Sequence, residues 1–67
     1  MKINNNIRTL RFSAGEMTQQ RLAEITGVTR QTIIAIEATK YTPTLALAFK
    51  IAKAFDTTVE KVFFVQD

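Results

Sequence analysis

The 67 residues contain no Cys and no His, so thiolate nucleophiles, imidazole bases and soft-metal ligand sets are missing from the chain. Six carboxylates remain for acid-base work, and Asp56 and Asp67 have no partner acid that suggests a glycosidase-like pair. A chain so equipped is expected to be no enzyme and to hold neither cofactor nor metal. Its usable chemistry is cationic and amide. Residues 1–34 carry Lys2, Arg8, Arg11, Arg21 and Arg30 against only Glu16 and Glu24, whereas the second half balances its lysines with acids. The net charge of +3 therefore sits in the first half, which favours an anionic partner, nucleic acid foremost.

The longest apolar runs, such as Leu45 to Phe49 and Val62 to Val65, fall far short of the ~18 residues of a membrane span, so no membrane partner is expected. Met1-Lys2 leads into Ile3-Asn4-Asn5-Asn6 rather than an apolar stretch, so no secretory leader is expected and the cytoplasm is the expected address. Residues 1–67 read as one domain. No disulfide can staple it, and a single core below about 70 to 80 residues rarely supplies more than a few kcal/mol. Dimerisation has a thermodynamic motive.

Helices must position the cations and amides. Thr18, Thr29, Thr44 and Thr58 each stand just before a periodic apolar segment, where a side-chain oxygen can accept from an unpaired backbone N–H. A fifth start lies near Asn5 or Asn6, followed by Ile7, Leu10 and Arg11 at helical spacing, with Gly15 as its stop. The spacing predicts five helices. Gly27-Val28-Thr29 joins the second to the third so tightly that the two must cross steeply: Gly supplies positive φ, Val plugs the core and Thr caps the next helix. The third segment, Arg30 to Ala38, turns Ile33, Ile36 and Glu37 inward and leaves Arg30, Gln31, Ile34 and Ala35 free to touch a partner. Tyr41-Thr42-Pro43-Thr44 breaks the chain before a fourth helix, whose stripe is predicted as Leu45, Ala48, Ile51, Ala52 and Phe55. A short fifth helix from Val59 to about Phe63 runs into Phe64-Val65-Gln66, which can pair with Lys2-Ile3-Asn4 as a two-stranded antiparallel ribbon.

Met17-Thr18-Gln19-Gln20-Arg21-Leu22-Ala23-Glu24, Gly27-Val28-Thr29-Arg30-Gln31-Thr32-Ile33 and Ala35-Ile36-Glu37 together resemble the helix-turn-helix of the Cro-like or Xre-type DNA-binding family. The likeness continues through Lys40-Tyr41-Thr42-Pro43-Thr44-Leu45 and Ile51-Ala52-Lys53-Ala54-Phe55, so it spans nearly the whole chain. Both termini are similar to the short cytolysin-repressor type, a stand-alone homodimer with a small terminal sheet. The resemblance implies an all-α, five-helix Cro/lambda-repressor-like domain with its helix-turn-helix at about 18–38. It implies a transcriptional regulator, acting as a repressor, that binds double-stranded DNA as a homodimer at a near-palindromic operator.

On that resemblance, the segment from Arg30 to Ala38 enters the major groove. Arg30 is suited to guanine O6 and N7 and Gln31 to adenine N6 and N7, while Ile34 and Ala35 read shape and thymine methyls. Thr32 either meets phosphate or a thymine methyl, or serves as a second capping hydroxyl. Thr18, Gln19, Thr29 and Lys40 fall to the DNA backbone, and Tyr41 either joins them or packs its ring on the domain. Arg11 and Glu37 match a partly buried structural ion pair. Three positions depart from the family pattern. Thr26 replaces a larger apolar residue, which predicts looser packing of the second helix. Thr39 stands where Gly is usual, which predicts a different end to the third, and Lys61 leaves a Thr58 cap unreciprocated.

The dimer is expected to seal through Val59, Val62, Phe63 and Phe64, because two adjacent phenylalanines cannot both face one small core. An alternative reading is a protein-interaction module, an antitoxin or coactivator-like adaptor using the fourth and fifth helices. A basic, Gln-rich face from Gln19 to Gln31 and a salt-dependent affinity for DNA separate the two readings.

Overall fold

The computed structural model describes residues 1–66; Asp67 lies outside the described residues. The elements run β1 (Lys2–Asn5), α1 (Ile7–Ser13), α2 (Gln19–Thr26), α3 (Arg30–Glu37), α4 (Leu45–Ala54), α5 (Val59–Val62) and β2 (Phe63–Gln66). The five helices and the terminal ribbon are those the sequence predicts. Helices this short are marginal alone, so caps and packing hold them. Thr18, Thr29 and Thr44 accept through their hydroxyl oxygens from the N–H groups of Arg21, Thr32 and Leu47 at 3.0, 3.2 and 3.2 Å. Thr58 does not cap with its side chain; the single turn of α5 closes instead through its carbonyl, which accepts from Lys61 N–H at 3.1 Å.

Ile7, Leu22, Ala23, Ile33, Ile36, Leu47, Ile51, Ala52 and Val62 form the core, drawing on every helix. Each large member contributes about 1.5–3 kcal/mol by leaving water. In α4 the predicted stripe shifts at one position. Leu45 is 69% exposed and Leu47 takes its place, because the inward arc is centred between Ala48 and Ile51 and the first residue after the Thr44 cap falls at its edge. Thr26 is buried, and its hydroxyl is satisfied by donating to the Leu22 carbonyl at 2.8 Å.

The end of α3 is also corrected. Thr39 takes the left-handed conformation that Gly would take, with φ of 60°. Paired bonds from Lys40 N–H to the Ala35 carbonyl (2.9 Å) and from Thr39 N–H to the Ile36 carbonyl (3.0 Å) close the helix and hold the β-branched residue there.

Strands β1 and β2 pair antiparallel, with Asn4 opposite Phe64 and Asn5 opposite Phe63. Alternation along β2 sends its two phenylalanines apart: Phe63 packs against the core and Phe64 is exposed. Val62 was expected on a surface for a second copy, yet it is fully buried within its own chain. The last residue of α5 points inward as the chain bends into β2, and its carbonyl accepts Asn6 N–H at 2.8 Å.

Candidate nucleic-acid interface

The turn between α2 and α3 sets the geometry of the site. Gly27 has φ of 77°, its N–H closes α2 on the Ala23 carbonyl at 2.9 Å, and Val28 packs against the core. Thr29 then caps α3 at once, and one face of α3 is left outward. On that face Arg30, Gln31 and Ile34 are exposed, while Ala35 and Thr32 are half-buried. The Thr32 hydroxyl lies 3.0 Å from that of Thr29, in the capping arrangement that was one of its two predicted roles. Lys40 and Tyr41 are exposed just beyond the turn that ends α3.

Thr18, Gln19 and Arg30 line one cleft together with Arg8, Arg11, Gln20 and Glu37. Arg11 binds Glu37 through two hydrogen bonds of 2.7 and 3.0 Å, and Gln19 Nε2 donates to the same carboxylate at 3.4 Å. That charge is thus matched inside the cleft. Arg21 pairs with Glu24 on the exposed side of α2 at 3.5 Å. Among the described residues Arg8 and Arg30 have no carboxylate partner, so two guanidinium groups give the cleft its uncompensated positive charge.

The sequence marks Arg8 as part of the first half's positive charge but gives it no contact of its own. Its signal was present: it stands three residues before Arg11 on α1, and positions at that spacing share a helix face. Val59 and Phe63 are half-buried and Phe64 exposed at the opposite end of the chain's course, and with Ile3, Glu60 and Val65 they line a shallow, largely apolar depression.

Two short helices joined through a left-handed glycine, the second presenting Arg30, Gln31 and Ile34 outward beside arginines that have no carboxylate partner among the described residues, define a helix-turn-helix protein. A model of the Cro/C1-type helix-turn-helix matches residues 7–62, and the chain belongs to that Xre-like family. It is 57% identical over 51 residues to an uncharacterized HTH-type transcriptional regulator of Methanocaldococcus jannaschii, covering 76% of this chain and 77% of that protein. It is 45% identical over 65 residues to the uncharacterized HTH-type transcriptional regulator YgzD of Bacillus subtilis, with 97% of each chain covered. A third such regulator, from Archaeoglobus fulgidus, is 43% identical over 65 residues, covering 97% of this chain and 91% of its own. Among the described residues no helix is long and apolar enough to cross a membrane.

Proposed function

We propose that this protein is a single-domain, homodimeric repressor that acts in the cytoplasm by binding a near-palindromic double-stranded DNA operator. In this reading α3 lies in the major groove, with Arg30 and Gln31 on base edges and Ile34 and Ala35 against thymine methyls. Thr18, Gln19, Thr29, Lys40 and Tyr41 hold the backbone, and Thr32 supports the Thr29 cap or touches the nearest phosphate. The observation that carries the reading is the outward face of α3 standing beside Arg8 and Arg30, which have no carboxylate partner among the described residues, while Glu37 is neutralised by Arg11. The names of the relatives, HTH-type transcriptional regulators, support it. Occluding polymerase needs no surface beyond the DNA-binding one, which favours repression. The partner copy is expected on the depression lined by Val59, Phe63 and Phe64.

Selection of bound fragments from random duplexes at physiological salt tests the function. The expected result is one enriched motif of two inverted half-sites whose occupancy lowers reporter transcription. A folded sample that enriches no motif overturns sequence-specific reading in favour of a protein-binding adaptor.

A further inference from the structure

Asn5 stands where three elements meet. Its backbone is the last residue of β1, opposite Phe63 in the ribbon. Its Oδ1 accepts from Ile7 N–H at 3.1 Å, fixing the start of α1. Its Nδ2 donates to the Ile36 carbonyl at 2.9 Å, in the last turn of α3 and 31 residues away in sequence. The amide places an acceptor and a donor on two separate atoms of one short side chain, so both bonds form at once. The Ile36 carbonyl already accepts Thr39 N–H at 3.0 Å, so Asn5 takes its second lone pair.

Two tethers therefore reach α3 at successive residues. The Arg11–Glu37 pair ties it to α1, and the Asn5–Ile36 bond ties it to the ribbon. The ribbon carries Phe64, adjacent to the residue that Asn5 faces, on the surface assigned above to the second copy. Asn6, the next residue, makes bonds of the same kind elsewhere. Its N–H reaches the Val62 carbonyl at 2.8 Å and its Nδ2 the Lys61 carbonyl at 3.1 Å, so among the described residues its hydrogen bonds tie the start of α1 to α5 rather than to α3.

We infer that Asn5 is a positioning residue for DNA reading: it sets the angle of α3 against the terminal ribbon, and so fixes the half-site spacing that the dimer accepts. The inference rests on the dimeric DNA-reading function proposed above. Reading helices in such a dimer lie about 34–36 Å apart. A tilt of roughly 10° acting over half that separation moves α3 by about 3 Å, close to one base-pair step. A slack joint at Asn5 thus blurs spacing before it blurs the half-site sequence.

The test uses the full chain and its Asn5→Ala, Asn5→Asp and Asn6→Ala variants. Each is titrated onto duplexes that carry the parent's selected half-sites at the preferred spacing and at one base pair more or less. The parent is expected to bind the wrong spacings about tenfold more weakly, a loss comparable to one mismatched base pair. Both Asn5 variants are expected to keep the half-site sequence while that loss shrinks to about threefold or below, and Asn6→Ala to keep the parental loss. Parental spacing preference in both Asn5 variants overturns the inference alone. So does equal flattening by Asn6→Ala, which reveals general loosening. A parent that enriches no spaced pair of half-sites overturns the dimeric reading and this inference with it. If Asn5→Ala fails to fold, Asn5→Asp decides, because it keeps the acceptor for Ile7 and replaces the donor to Ile36 with a carboxylate oxygen that the Ile36 carbonyl repels.

Discussion

Arg11 on α1 grips both carboxylate oxygens of Glu37, the last residue of α3, at 2.7 and 3.0 Å, and spends its remaining nitrogen on the Met17 carbonyl at 2.9 Å. One guanidinium thus joins the first helix, the loop before α2 and the end of the outward-facing helix. The two side chains are 16% and 11% exposed, so neither charge is fully hydrated.

Glu37→Ala is expected to destabilise the fold by roughly 2 to 3 kcal/mol in urea unfolding, because it strands a partly buried guanidinium. The double variant Arg11→Met, Glu37→Leu is expected to recover at least half of that loss, since no unpaired charge remains. A single variant as stable as the parent shows that water replaces the carboxylate freely and removes the pair from the account of how α3 is held.

Arg30→Ala and Gln31→Ala are each expected to lose about 1 to 3 kcal/mol on the selected operator and little on random duplex. Arg8→Ala and Lys40→Ala are instead expected to weaken all duplexes alike and to lower the salt slope by about one. Titrations at several salt concentrations measure both. Arg30 shares the cleft with Arg8, so equal loss on operator and random DNA moves Arg30 to the phosphate-binding group.

Thr39→Gly is expected to raise stability by about 1 kcal/mol, because a β-branched residue at φ of 60° carries strain that glycine lacks. Gly27→Ala is expected to lower it by a similar amount: the added Cβ meets open space, so the penalty comes from φ of 77° alone. In a domain of this size each change shifts the melting temperature by about 4–8 °C per kcal/mol. A Thr39→Gly melt at or below the parent's shows that the Thr39 hydroxyl bond to the Ala38 carbonyl, 2.6 Å, offsets the strain.

The caps and the tight turn were legible in the sequence because they depend on residue type over three or four positions. Thr18, Thr29 and Thr44 needed no tertiary information. What escaped depends on packing between distant segments. Leu45 and Leu47 are equally apolar, and only the direction from which α2 and α5 cover α4 decides which is buried. Thr39 hides a similar conflict: local preference argues against its conformation, and the hydrogen bonds that close α3 override it. Asn5 is legible as a start of α1 and Arg8 as part of the positive charge, but the link of either to α3 is not, because only the fold sets them beside it.

Val62 and Phe64 separate the fold from the assembly. Both lie in the terminal segment expected to seal a dimer, but Val62 is fully buried in its own chain while Phe64 is 40% exposed beside Val65, itself 53% exposed. Val62→Ala is expected to cost about 1 to 3 kcal/mol in unfolding, through a cavity in the core cluster, at any protein concentration. Phe64→Glu removes no core contact and is expected to leave the monomer folded. If the partner copy covers that depression, the glutamate places a charge in an apolar seam with its symmetry mate nearby, and dissociation is expected at micromolar concentration. Sedimentation of both variants and the parent decides the matter. A parent that sediments as a monomer without DNA overturns the preformed dimer, and a Phe64→Glu dimer as tight as the parent's places the contact between copies on another face. Leu45 and Phe49 on α4 are then the next apolar residues to test, being 69% and 58% exposed.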